Sequence, residues 1–76
     1  MRQQIAKITI DKNKIIGTES CSEADFKIYK ENDKLFVKFP ENWKLSWWTV
    51  NIGGTLTNPI EISGDLDSII EITFFD

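Results

Sequence analysis

The chain is predicted to be all-β: a small antiparallel sandwich or barrel of six to seven short strands, with at most one helical turn near residues 20–25. Three observations carry that expectation. Residues 26–39, FKIYKENDKLFVKF, alternate apolar with charged side chains on both sides of Asn32-Asp33, which is the pattern of a two-stranded hairpin. Short β-branched runs recur at residues 5–10, 60–62 and 70–72. Turn signals fall at close spacing between these runs, as in sandwiches and small barrels.

In order along the chain, Ile5, Ile8, Thr9 and Ile10 suit a first strand, and Asp11-Lys12-Asn13-Lys14 a polar turn after it. Ile15-Ile16 begins a short second strand expected to end near Gly17. Residues 18–25 are polar and small, a loop or one helical turn. Ser22 followed by Asp25 resembles a capping box, although Glu or Gln is the usual partner. A helix continuing from there would put Phe26 and Tyr29 on one face, but it would waste the period-2 match that runs on to Phe39.

In the hairpin, Phe26 faces Phe39, Ile28 faces Val37 and Lys30 faces Leu35 on one side, while Tyr29 and Phe36 pair on the other. A slip by one residue would misalign the apolar set, so the register is well specified. Lys27, Lys34 and Lys38 surround Tyr29 and Phe36, which makes that second side half wet.

Pro40-Glu41-Asn42 breaks the hairpin, because proline cannot donate a ladder hydrogen bond. A strand is then expected over residues 43–52, with Trp43, Leu45 and Trp47 on one face and Trp48, Val50 and Ile52 on the other. Gly53-Gly54 signals a turn, and residues 55–57 are expected to start a returning strand. A plain two-residue turn would set Asn51 against Leu56, so a bulge or longer loop is expected. Asn58-Pro59 is a further break, and the last two strand patterns, 60–62 and 70–75, flank the turn-rich residues 63–68.

A chain of 76 residues makes one domain, residues 1–76, and a domain this small buries only about 60% of the surface of its unfolded chain. The single cysteine excludes an internal disulfide framework and suits a reducing compartment, with cytoplasm as the expected location. No apolar run has the length of a signal peptide or a membrane span, so no membrane role is expected. The formal charge is −3, and all nine Lys and Arg lie at or before Lys44. The remaining tail carries only acids, which disfavours bulk nucleic-acid binding.

Catalysis is not expected. There is no histidine, the commonest general base. Cys21 stands between Glu19 and Glu23, which would oppose thiolate formation. Asp65, Asp67 and Glu71 faintly suggest a calcium site, but the spacing lacks the other ligands and the glycine of an EF-hand, and turn-forming aspartates explain them better. Gly53-Gly54 lacks a following Lys-Ser or Lys-Thr, so no phosphate loop is expected. No catalytic residue, metal or cofactor is assigned.

The expected activity is therefore binding. Trp43 and Trp47 offer aromatic anchors of the kind enriched in interface hot spots, with Tyr29 and Phe36 on the hairpin's second face. Glu61, Asp65, Asp67 and Glu71 would form an acidic rim for a partner protein with a basic surface. If the strands of Glu61 and Glu71 were neighbours, the two carboxylates would face each other at a cost to the ladder. Small acidic single-domain proteins are often antagonists that occlude a nucleic-acid-binding surface, as phage-encoded inhibitors of host defence do; only size and charge support this reading. Two alternatives are a module for single-stranded nucleic acid or carbohydrate, stacking on the same rings, and a structural subunit that self-associates, as in a homodimer or shell.

Overall fold

The computed structural model describes residues 3–76; Met1 and Arg2, the latter one of the basic residues counted above, lie outside them. In order come β1 (Gln4–Asp11), β2 (Lys14–Glu19), a 3-10 turn (Glu23–Asp25), β3 (Lys27–Glu31), β4 (Lys34–Lys38), β5 (Trp47–Val50), β6 (Ile60–Ile62) and β7 (Ile70–Phe75). They form two antiparallel sheets, ordered β2-β1-β7-β5 and β3-β4-β6. Of the two architectures the sequence predicts, the sandwich is the one adopted.

The period-2 patterns decide which side chains go inside. Ala6, Ile8 and Ile10 of β1 and Ile70, Ile72 and Phe74 of β7 share one core with Leu35 and Val37 of β4 and Ile60 and Ile62 of β6. Phe74 is fully buried and ties the sheets together, its ring centroid 5.7 Å from Phe26, 5.5 Å from Phe39 and 5.4 Å from Trp43.

Both hairpins close through turns whose two central residues are left-handed: Lys12 (φ 50°) and Asn13 (φ 65°), and Asn32 (φ 50°) and Asp33 (φ 63°). Such turns match the twist of the strands they join, and Asn and Asp tolerate the conformation better than other non-glycine residues. The β3-β4 register is the expected one, with Ile28 opposite Val37, Tyr29 opposite Phe36 and Lys30 opposite Leu35.

The second strand outruns its expected end at Gly17 by two residues. Gly17 sits opposite Thr9, and Thr18 and Glu19 go on to pair with Ile8 and Lys7. A register shift between Thr9 and Ile10 leaves Ile16 as the extra residue of a bulge, 58% exposed.

The capping box forms with the shorter acid. The Ser22 hydroxyl accepts from the Ala24 N–H at 3.2 Å and the Asp25 carboxylate accepts from the Ser22 N–H at 3.0 Å. Phe26 is already extended (φ −118°), so the helical turn ends where the hairpin's alternation begins.

Two expectations are corrected. The aromatic strand starts at Trp47, not at residue 43, because the Trp43 N–H donates to the Pro40 carbonyl at 3.2 Å and closes a turn instead. No strand forms at residues 55–57. There Thr55 alone lies along the edge of β6: its N–H donates to the Glu61 carbonyl at 3.1 Å and its hydroxyl accepts the Glu61 N–H at 2.9 Å, while the Thr57 hydroxyl donates to the Pro59 carbonyl at 2.9 Å. Hydroxyls thus satisfy groups that a ladder would otherwise bond. Of the bulge and the longer loop expected here, the longer loop is what runs between β5 and β6. Gly54 fits closely in it: a Cβ there would stand 3.0 Å from Val50 Cγ2 and 3.2 Å from Ile60 Cγ2, so both side chains would have to give way. The loop ends at a cis Asn58-Pro59 bond, where the Asn58 side chain holds the backbone of Phe39 by two bonds, accepting its N–H at 3.2 Å and donating to its carbonyl at 2.9 Å.

Candidate functional site

Alternation along β3 and β4 sends Lys27, Tyr29 and Glu31, and Lys38, Phe36 and Lys34, to the outer face of the three-stranded sheet. Phe36 also faces Glu61 of β6, so the central row reads Tyr29, Phe36, Glu61. The two rings stack on one another, centroids 5.1 Å apart and 11° from parallel, with Tyr29 43% exposed. Cross-strand aromatic pairing stabilises the hairpin by about 0.2–1 kcal/mol and holds both rings in one orientation.

Ion pairing on this face is found at one end only among the described residues. Lys34 lies opposite Glu31 and forms an ion pair with Glu61 at 2.9 Å. At the other end Lys27 and Lys38 lie directly opposite each other, both exposed, and neither belongs to an ion pair among the described residues. Beside them opens a shallow cleft of about 330 Å³ lined by Asp25, Lys27, Lys38, Phe39, Pro40 and Glu41.

The expected anchors Trp43 and Trp47 do not share a face. Trp43 turns inward and packs edge-on against Phe26 at 5.4 Å and Phe74 at 5.4 Å. Trp48, also inward, meets Phe39 at 5.0 Å and donates its Nε1–H to the Thr55 carbonyl at 3.3 Å. Trp47 points to the outer face of the four-stranded sheet, stacked on Phe75 with centroids 5.6 Å apart. All three tryptophans are half-buried.

Nor do the four acids form one rim. Glu61 and Glu71 fall in different sheets, so the like-charge pairing that a shared ladder would impose does not arise, and each carboxylate meets a lysine: Lys34 for Glu61, and Lys7 at 3.3 Å for Glu71. Asp65 is spent on its own turn, accepting the Ser68 hydroxyl at 2.7 Å and the Asp67 N–H at 3.0 Å. These bonds, the Ser68 hydroxyl foremost, lower its pKa below the ordinary 3.8. Asp67 is exposed in the same turn.

Of the expected site residues, the structure therefore brings Tyr29, Phe36 and Glu61 together. Reading from sequence alone passes over the Trp47–Phe75 stack and the direct opposition of Lys27 and Lys38. Phe75 is found only once β5 is known to pair with β7. The Lys27–Lys38 opposition follows from the hairpin register and could have been read from it.

The Cys21 thiol, half-buried, points its Sγ at the Lys7 carbonyl at 3.6 Å. None of the described residues that are buried is polar or charged, and no three acids or cysteines among the described residues stand close enough to hold a metal ion. No helix among the described residues is long and apolar enough to cross a membrane. Comparison with protein-family models, curated proteins and solved structures finds no match to this chain.

Proposed function

We propose that the chain is a non-enzymatic protein-binding module that docks a partner on the outer face of the β3-β4-β6 sheet and acts by occluding the surface it covers. The observation that carries this reading is the Tyr29–Phe36 stack, a partly exposed aromatic pair held on strands. Rigid aromatic side chains give large contact area for little ordering entropy, which is why such residues dominate interface energetics.

The acids are dispersed and two of them are paired, so the net charge of −3 acts as long-range steering toward a partner of overall basic charge, while the lysines set the chemistry at the contact. Size and net charge support an antagonist of the phage type, and the free Cys21 suits a reducing compartment such as the cytoplasm.

Single-stranded nucleic acid is the second reading, favoured by the lysines that flank the rings. Against it, the rings stack on one another and so cover two of the four ring faces that bases would use. The test compares tagged wild-type chain with a Tyr29→Ala/Phe36→Ala variant for retained proteins at moderate salt, with far-UV circular dichroism as the fold control. At least a tenfold loss of retention with an unchanged spectrum is expected, about 1.4 kcal/mol. Equal retention refutes the docking face. Binding of an oligonucleotide that weakens steeply with salt would support the second reading instead, and a large self-assembly on size-exclusion chromatography the structural subunit.

A further inference from the structure

Lys27 and Lys38 are the unusual feature of this face. Like charges directly opposite on an antiparallel pair destabilise it. Lysine on a sheet edge guards against strand addition, and β3 is an edge, so Lys27 has that explanation. Lys38 stands on the central strand just past the end of its ladder with β6, and edge protection by Lys27 does not call for a second lysine facing it there. The β4-β6 ladder ends at Val37–Ile60, so β6 offers Lys38 no carboxylate of the kind Glu61 gives Lys34. The face thus has an ion-paired lysine at one end and, at the other, two facing lysines that are outside any ion pair among the described residues.

From this we infer that the docked partner seats one carboxylate side chain between Lys27 and Lys38, with an aromatic or aliphatic neighbour packed beside the Tyr29–Phe36 stack. The inference rests on the docking reading above and adds the partner's chemistry. The adjoining cleft shapes the specificity. Phe39 and Pro40 give it apolar lining, while Asp25 and Glu41 line it too and repel a further acid. Asp25 is already committed to the Ser22 N–H, and neither acid is ion-paired with the lysines. The motif that fits is a single acid flanked by apolar residues, not an acidic run.

The test uses capped octapeptides with a central Phe-Glu-Phe, the same peptide with Gln or Lys in place of Glu, and one with Glu-Glu-Glu, each titrated into the isotopically labelled chain and followed by amide NMR. Shifts at Lys27, Tyr29, Phe36 and Lys38 are expected with Phe-Glu-Phe. Binding should be at least fivefold weaker for the Gln peptide and weaker still for the Lys and Glu-Glu-Glu peptides. A Lys27→Glu/Lys38→Glu variant should reverse the order of the Glu and Lys peptides. Equal binding of the Glu and Gln peptides on this face overturns the carboxylate assignment and leaves the docking face standing. Stronger binding of Glu-Glu-Glu overturns the single-acid motif. Absence of shifts on the face with every peptide overturns the assignment and counts against the docking reading as well.

Discussion

Replacing Phe74 by alanine should be among the most damaging single changes in the chain. Its side chain is fully buried, between the sheets, and touches three aromatic rings with centroids 5.4 to 5.7 Å away. Phe→Ala in a core costs about 3–5 kcal/mol through lost transfer energy and the cavity left behind. Aromatic pairs add about 0.5–1.5 kcal/mol each beyond their buried area, which puts Phe74 toward the upper part of that range. A domain of 76 residues has roughly 4–11 kcal/mol to lose, so the variant should be marginal or unfolded at room temperature. Its melting temperature should fall by about 12 °C or more, at about 4–8 °C per kcal/mol. Urea unfolding followed by tryptophan fluorescence gives the number, since Trp43 packs against the removed ring. A shift of the midpoint without a change of slope marks lost stability rather than an altered unfolded state. The near-UV circular dichroism of Trp43 should collapse too. A loss below about 1.5 kcal/mol, well under the usual range for such a change, would refute Phe74 as the tie between the sheets.

Asn58→Ala should cost about 1–3 kcal/mol, because the half-buried Phe39 N–H and carbonyl lose their partners together; amide exchange at Phe39 should accelerate, and an unchanged rate would contradict that role. Asp65 has a lowered pKa in the fold, so its contribution to stability is intact above about pH 4 and fades as the pH falls through the lowered value. Ser68→Ala, which removes the main cause, should move the Asp65 titration up toward 3.8 in carboxyl NMR, and an unmoved titration would show that the hydroxyl does not hold it.

Local rules made the hairpin legible. Asn32-Asp33 and the alternation around it specify register through nearest neighbours, and that register alone sets Tyr29 beside Phe36 and Lys27 against Lys38. The capping box was legible for the same reason, as every partner lies within three residues. Trp43 and Trp47 were misplaced onto one face because alternation holds only while a chain stays extended, and the bond from Trp43 to Pro40 breaks it before β5 begins. Thr55 to Thr57 failed as a strand because β-branched residues favour pleated backbone only where a ladder is on offer, and Thr55 hydroxyl chemistry satisfied the β6 edge first. The separation of Glu61 from Glu71 depends on strand order, which pairing between distant segments decides and no local pattern encodes.

The position of β1 between β2 and β7 has a consequence for synthesis. One of the two lateral neighbours of β1 is residues 70–75, which are synthesised well after it. Its hairpin with β2 can form at once, leaving the opposite row of peptide groups open to any passing extended chain until translation reaches the last strand. The larger sheet is thus completed only once residues 70–75 are available, a slow step because the β1-β7 contacts join segments far apart in sequence. The smaller sheet, which carries the docking face, needs only residues 27–62, and its hairpin closes through a two-residue turn.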